Sequence, residues 1–272
     1  MGAIGHVIER ALAGRADIVP IDRTRAPLRA DGGTPVDAAV ICVKTPGTPW
    51  AAEVAQHVVS REGVVLTIQN GLGNYETLAA AVGEARVAVG VIYVGARLEN
   101  GKLWATGQGR VEVGLPSRAG PRRALESLAD RLAEGGMTVS VVEDAWSSVW
   151  RKVAVNAAMN PTTALLGYTN EQLLADRAAS RVADGLAAEV ARVATATGVP
   201  IADDEAPRLW RDIATLTGAN RSSMLQDVQA GRATEIDAIC GAVHREGEGR
   251  GVAAPLNQAM TVLVNALAPG RA

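Results

Sequence analysis

Lys152, Asn156 and Asn160 are spaced four residues apart within Trp150-Arg151-Lys152-Val153-Ala154-Val155-Asn156-Ala157-Ala158-Met159-Asn160-Pro161. A helix sets positions i, i+4 and i+8 on one face, and the remainder of this helix is apolar. A buried polar group left unpaired costs roughly 1–3 kcal/mol, so three of them in register need partners. Either the helix lines a polar pocket or the three belong to a structural hydrogen-bond network; a surface helix would be polar on its other faces too. Lysine adds weight to the pocket. Of the 27 basic residues only Lys44, Lys102 and Lys152 are lysines, and lysine, unlike arginine, shifts its charge readily on burial.

Further polar groups follow this helix in sequence. Asn220-Arg221-Ser222-Ser223-Met224-Leu225-Gln226-Asp227 offers hydroxyl and amide donors suited to a carboxylate, and Thr234-Glu235-Ile236-Asp237 offers a carboxylate near a helix start. Taken alone, both also read as helix caps.

At the other end of the chain, Met1-Gly2-Ala3-Ile4-Gly5-His6 reads as the tail of a G-x-G-x-x-G turn. In such a turn, glycines bring backbone amides at a helix N-terminus close to a pyrophosphate. Gly2 and Gly5 stand as its second and third glycines, and the expectation is that the natural start lies upstream, with a strand and a first glycine. Ile18 to Arg23 reads as the next strand; Asp22 at its end favours a bare ribose and Arg23 a 2′-phosphate. Lys44 closes the strand Val40-Ile41-Cys42-Val43 at its carboxyl edge, a placement that supports phosphate binding. Asn70, in Ile68-Gln69-Asn70-Gly71-Leu72-Gly73-Asn74, stands in a turn at another carboxyl edge, within reach of a ribose or a reacting carbonyl.

The elements needed to position these residues fall into two sets. Residues 1–143 alternate strand and helix: Val36 to Val43, Val64 to Gln69, Val87 to Val94, Leu103 to Thr106, Gly109 to Gly114 and Thr138 to Val142 as strands, Trp50 to Val59, Tyr75 to Val82 and Pro121 to Glu134 as helices. This order predicts an α/β, Rossmann-like sheet with an antiparallel patch. Residues 144–272 carry only helical patterning: Ser147 to Asn160, Glu171 to Thr197, Asp204 to Leu216, Ser222 to Ala230, Thr234 to Arg250 and Pro255 to Leu267, with Pro161, Gly198 and Gly251 as breakers. A dinucleotide-binding domain over 1–143 and a helical substrate and catalytic domain over 144–272 are the expected organisation.

Composition narrows the function class. The chain has 272 residues, is 48% hydrophobic and has a formal net charge of -2, which gives no electrostatic footprint for nucleic acid or a membrane surface. No apolar run reaches the roughly 18 residues a membrane span needs, and the N-terminus lacks a signal-peptide pattern, so a cytoplasmic protein acting on a small molecule is expected. Cys42 and Cys240 lie far apart without metal-ligand spacing; buried thiols and no metal are expected.

Together these segments resemble the ketopantoate reductase family. The resemblance rests on Val-Lys at 43–44, Gln-Asn-Gly at 69–71, Trp-Arg-Lys-Val-Ala-Val-Asn at 150–156, Asn-Pro-Thr-Thr-Ala at 160–164, Ser-Ser-Met-Leu-Gln-Asp at 222–227 and Thr-Glu-Ile-Asp at 234–237. The last four, in order and spacing, are specific. The resemblance implies NADPH-dependent reduction of 2-dehydropantoate to pantoate, a step of pantothenate biosynthesis. It assigns Lys152 as general acid and Glu235 as catalytic carboxylate. Asn156 and Asn160 would orient the substrate, Asn220 and Ser223 would bind its carboxylate, and Gly2, Gly5, Arg23, Lys44 and Asn70 would hold the cofactor. The alternatives are a reductase of another 2-keto acid and a catalytically impaired nucleotide-binding paralogue; a homodimer is among the assemblies this reading allows. Relative to the family, the first strand is missing and the stretch from Thr24 to Pro35 is short, which predicts weakened cofactor affinity.

Overall fold

A computed structural model describes residues 2–22, 35–99 and 101–267. They divide into two compact units, Met1–Gln69 with Gly73–Ser148, and Asn70–Leu72 with Val149–Ala272.

The first unit is an α/β sandwich. Its sheet runs β1(Val36–Ile41), β2(Val59–Thr67), β3(Val87–Glu99), β4(Lys102–Gly114), β5(Thr138–Val141) in spatial as well as chain order, with helices α1(Ala3–Leu12), α2(Thr48–Val58), α3(Asn74–Val82) and α4(Arg122–Glu134). β1, β2 and β3 are parallel, β3 and β4 form the antiparallel patch, and β4 pairs parallel with β5. Successive strand residues face opposite sides of a sheet, and β2 shows the result: Val64 and Leu66 join Ile68 in a core with α1 and α4, while Val65 joins one with α2 and α3. Gly135 lets α4 end against α1, because a Cβ there would lie 1.9 Å from the Ala11 carbonyl oxygen.

The strand expected from Ile18 to Arg23 is not seen among the described residues: 18–22 adopt no regular secondary structure, and Arg23 lies outside the described residues. Pro20 removes a donor that a ladder would need, and Ile18 and Ile21 lay their side chains on the two cores instead.

The second unit is all-helical: α5(Ala145–Leu166), α6(Asn170–Ala175), α7(Arg177–Ala196), α8(Glu205–Leu216), α9(Ser223–Gln229), α10(Cys240–Glu248) and α11(Pro255–Ala266). α7 supplies much of its core, from Ala179 to Ala194. Its buried Glu189 accepts hydrogen bonds from the amides of Leu256 and Asn257 at 3.0 and 2.9 Å, so a carboxylate from one helix caps another at its electropositive end.

Three helix boundaries differ from expectation, each for a local reason. The stretch from Glu171 to Thr197 is two helices, because the Asp176 carboxylate accepts from the amides of Ala178 and Ala179 and starts α7 afresh. Pro161 does not end α5 but sits inside it. A helical proline withdraws the N–H that would have bonded the carbonyl four residues earlier, here that of Ala157, and the Cys240 thiol donates to that carbonyl at 4.0 Å. Finally, Thr234 to Ile239 form turns before α10 rather than its first residues, so Glu235 projects from a turn.

Candidate functional site

In the helical unit, α5 carries Lys152, Asn156 and Asn160 on one face, as their spacing predicts. Lys152 and Asn156 are half-buried and Asn160 is 7% exposed. Desolvation pushes the Lys152 ammonium down to about 8, and the negative charge of Glu235 opposes that shift. An enclosed cation tuned by a carboxylate beside it can give up a proton near neutral pH.

Glu235 is itself held in place. Its Oε2 accepts a hydrogen bond from Asn70 Nδ2 at 3.0 Å, and the turn that carries it is anchored by the Leu72 amide, which donates to the Ala238 carbonyl at 2.8 Å. Gly71, between Asn70 and Leu72, has φ +81, and a Cβ there would lie 2.3 Å from the Ala238 oxygen. Only glycine meets both conditions. The structure therefore brings together Lys152, Glu235 and Asn70, residues remote in sequence.

The segment from Asn220 to Asp227 contains a helix cap, one of the two readings its sequence allows. Asn220 and Ser223 are exposed, and the Asn220 carbonyl accepts from the Asn170 amide at 3.0 Å. Their neighbour Ser222 is the buried one. Its hydroxyl accepts from the Leu225 amide at 3.1 Å, starting α9, and from Thr163 Oγ1 at 2.7 Å, reaching back to the end of α5. Sequence reasoning missed Ser222 and Thr163; the paired Ser-Ser and Thr-Thr were the available signal, but nothing in them says which member turns inward.

In the sheet unit, Gly2 precedes α1 with extended backbone and no side-chain cap, and nothing lies within 4 Å of where its Cβ would be. Gly5 is buried one turn later. Amides at an open helix start form an anion-binding end, so the donors present here fit a dinucleotide pyrophosphate. Lys44 is exposed at the carboxyl edge of the sheet, where ligands of open α/β folds bind. Asp22 is half-buried, and Arg23 lies outside the described residues. Gln69, to which the sequence reading gave no role of its own, donates from its side-chain amide to the Val43 carbonyl and the Thr48 hydroxyl at 2.7 and 2.8 Å. Among the described residues no three His, Cys, Asp or Glu side chains converge as a metal site, and no helix is long and apolar enough to cross a membrane.

Most of the chain's length is similar to known proteins. Residues 23–118 match the family profile described as "Ketopantoate reductase PanE/ApbA", and residues 144–268 match "Ketopantoate reductase PanE/ApbA C terminal". A 2-dehydropantoate 2-reductase of Halobacterium salinarum is 34% identical over 244 residues, covering 89% of this chain and 80% of its own. One from Pyrobaculum aerophilum is 39% identical over 208 residues, covering 75% and 70%. The crystal structure of 2-dehydropantoate 2-reductase from Geobacter metallireducens matches with TM-score 0.86 at 26% identity, over 98% of this chain and 97% of that one. The ternary structure of D-mandelate dehydrogenase with NADH and anilino(oxo)acetate matches with TM-score 0.81 at 27% identity, over 87% and 78%. With both profiles matched in order and its motif residues gathered on α5 and the Glu235 turn, this chain belongs to the ketopantoate reductase family.

Proposed function

We propose that the chain reduces 2-dehydropantoate to pantoate with NADPH, residues 1–143 binding the dinucleotide and residues 144–272 supplying the catalytic groups. The observation that carries this reading is Lys152, whose ammonium is pushed down to about 8 by burial against the opposing charge of Glu235, on a helix face it shares with Asn156 and Asn160.

When bound, the cofactor supplies a hydride to the keto carbon. Charge then builds on the substrate oxygen, and the Lys152 ammonium donates a hydrogen bond to it and then a proton. The oxygen becomes a hydroxyl, and the lysine is left neutral until solvent reprotonates it. Positioned proton transfer of this kind is worth roughly 10²–10⁴ in rate. Glu235, fixed by Asn70, keeps the lysine protonated closer to working pH than burial alone would allow. Asn156 and Asn160 orient the substrate, and Ser223 with Asn220 binds its carboxylate; the exposure of both leaves them accessible to a ligand. The Gly2 and Gly5 backbone receives the pyrophosphate, and Lys44, with Arg23, the 2′-phosphate.

The test is NADPH oxidation, followed by absorbance, with 2-dehydropantoate and with the keto acid that corresponds to D-mandelate, each repeated with NADH. Turnover of 2-dehydropantoate with NADPH well above the other three combinations supports the reading. Preference for the mandelate-derived keto acid with NADH moves the chain to the second activity among its solved relatives, and cofactor binding without turnover of either acid makes it a nucleotide-binding paralogue. The proposed setting is the cytoplasm. Self-association is supported by the exposure of Val262 and Leu263 on α11 and of Leu267 just after it; sedimentation velocity distinguishes monomer from homodimer.

A further inference from the structure

Gln69 follows β2 at the carboxyl edge of the sheet, and its side-chain amide spends both hydrogens on the loop that leaves β1. Nε2 donates to the Val43 carbonyl at 2.7 Å and to the Thr48 hydroxyl at 2.8 Å. Val43 and Thr48 are the two ends of the loop that carries Lys44. Inside the loop a single 3-10 turn spans Thr45–Gly47, and the Gly47 amide donates to the Lys44 carbonyl at 2.7 Å. The peptide groups on both sides of Lys44 are thus held.

The direction of the amide is fixed as well. Its oxygen accepts from the Thr67 hydroxyl at 3.0 Å, which leaves the nitrogen facing Val43 and Thr48. Thr48 accepts from Gln69, and its hydroxyl in turn donates to Asn74 Oδ1 at 2.8 Å. A donor chain with one sense therefore runs from Gln69 through Thr48, the first residue of α2, to Asn74, the first residue of α3. Glutamate has nearly the same shape, but a carboxylate cannot donate to the Val43 carbonyl, and two acceptors would face each other.

We propose that Gln69 is a positioning residue for cofactor choice: by clamping both ends of the 43–48 loop, its amide sets Lys44 where its charge meets the 2′-phosphate that distinguishes NADPH from NADH. The proposal rests on the reading of Lys44 as the phosphate-binding lysine. It asks little of packing and much of loop geometry, so its signature is a change in selectivity rather than a general loss of affinity.

The experiment measures dissociation constants of NADPH and NADH, by the fluorescence of the reduced nicotinamide, for the full chain and for Lys44→Ala, Gln69→Leu, Gln69→Glu, Thr48→Val and Thr48→Ser, with melting curves alongside. Lys44→Ala is expected to weaken NADPH about tenfold, the equivalent of about 1.4 kcal/mol, with NADH within about twofold. Gln69→Leu and Gln69→Glu should reproduce most of that selective loss, Thr48→Val part of it, and Thr48→Ser, which keeps the hydroxyl, none. If the Gln69 variants keep the parent ratio of the two affinities while Lys44→Ala alters it, the clamp has no part in selection, whatever happens to the melting temperature. Should the Gln69 variants fail to fold, Thr48→Val still cuts one arm of the clamp, and an unchanged ratio there overturns the proposal. An unchanged ratio in Lys44→Ala removes the reading of that lysine and the proposal with it.

Discussion

The two units prepare for chemistry in opposite ways. In the helical unit the candidate catalytic side chains come from a single element, α5, with one turn brought up to it. The sheet unit works with backbone groups and loop ends: the helix start at Gly2 and Gly5 on one side, and residues 43, 48, 69 and 74 on the other, tied together by side-chain hydrogen bonds. The contrast teaches where precision resides: in the first case in helix periodicity, in the second in a network between neighbouring strand ends.

Breaking the helical side should give the largest effects. Lys152→Ala is expected to lower kcat by roughly 10²–10⁴ while NADPH binding, measured by fluorescence, stays within about twofold. Equal losses in binding and turnover would mean that the lysine is structural.

The pH profile sharpens the same point. Reduction needs the protonated lysine, so kcat/KM for the keto acid should be flat below a pH of about 8 and fall as pH rises through it. In Glu235→Gln the opposing charge is gone, burial acts alone, and the falling limb should move to lower pH. A limb that stays put would separate Glu235 from the lysine. The reverse reaction, which needs the neutral amine, should rise over the same range.

Gly71→Ala tests the anchoring of the Glu235 turn. Left-handed backbone costs an ordinary residue roughly 1–2 kcal/mol, and the overlap with the Ala238 oxygen adds to it, so melting should fall by about 5 °C or more, with activity falling alongside. Ser222→Ala is the smallest of these: loss of a helix cap costs about 1 kcal/mol, read as a modest shift in denaturant midpoint with kcat almost unchanged. If instead it lowers kcat sharply, Ser222 rather than Ser223 meets the substrate.

What was legible in the sequence follows the same division. The α5 face could be read directly, because a helix turns spacing into adjacency, and the apolar run from Val64 marked the second half of β2, though not its start at Val59. Glu235 could be singled out as a carboxylate, but its meeting with Asn70 could not, since tertiary contact across so many residues leaves no periodic trace. Pro161 misled because proline's cost in a helix is usually decisive; the thiol of Cys240, far along the chain, answers the carbonyl it frees. Ile18 to Asp22 misled because strand propensity says nothing about whether a partner strand is within reach. Gln69 was overlooked because an Asn-Gly turn explains its neighbours well enough, and the value of its side chain appears only when Val43 and Thr48 are folded beside it.

Each unit contains one cysteine. Burial pushes the Cys42 thiol up to about 12 and raises that of Cys240 further, with the charge of Glu189 adding to the latter. Thiolate is the form that alkylating reagents attack, so at neutral pH both sulfurs should react slowly until their own surroundings open. Mass-resolved alkylation over a urea series would then time the loosening of the sheet unit and the helical unit separately, in one tube, with no residue changed.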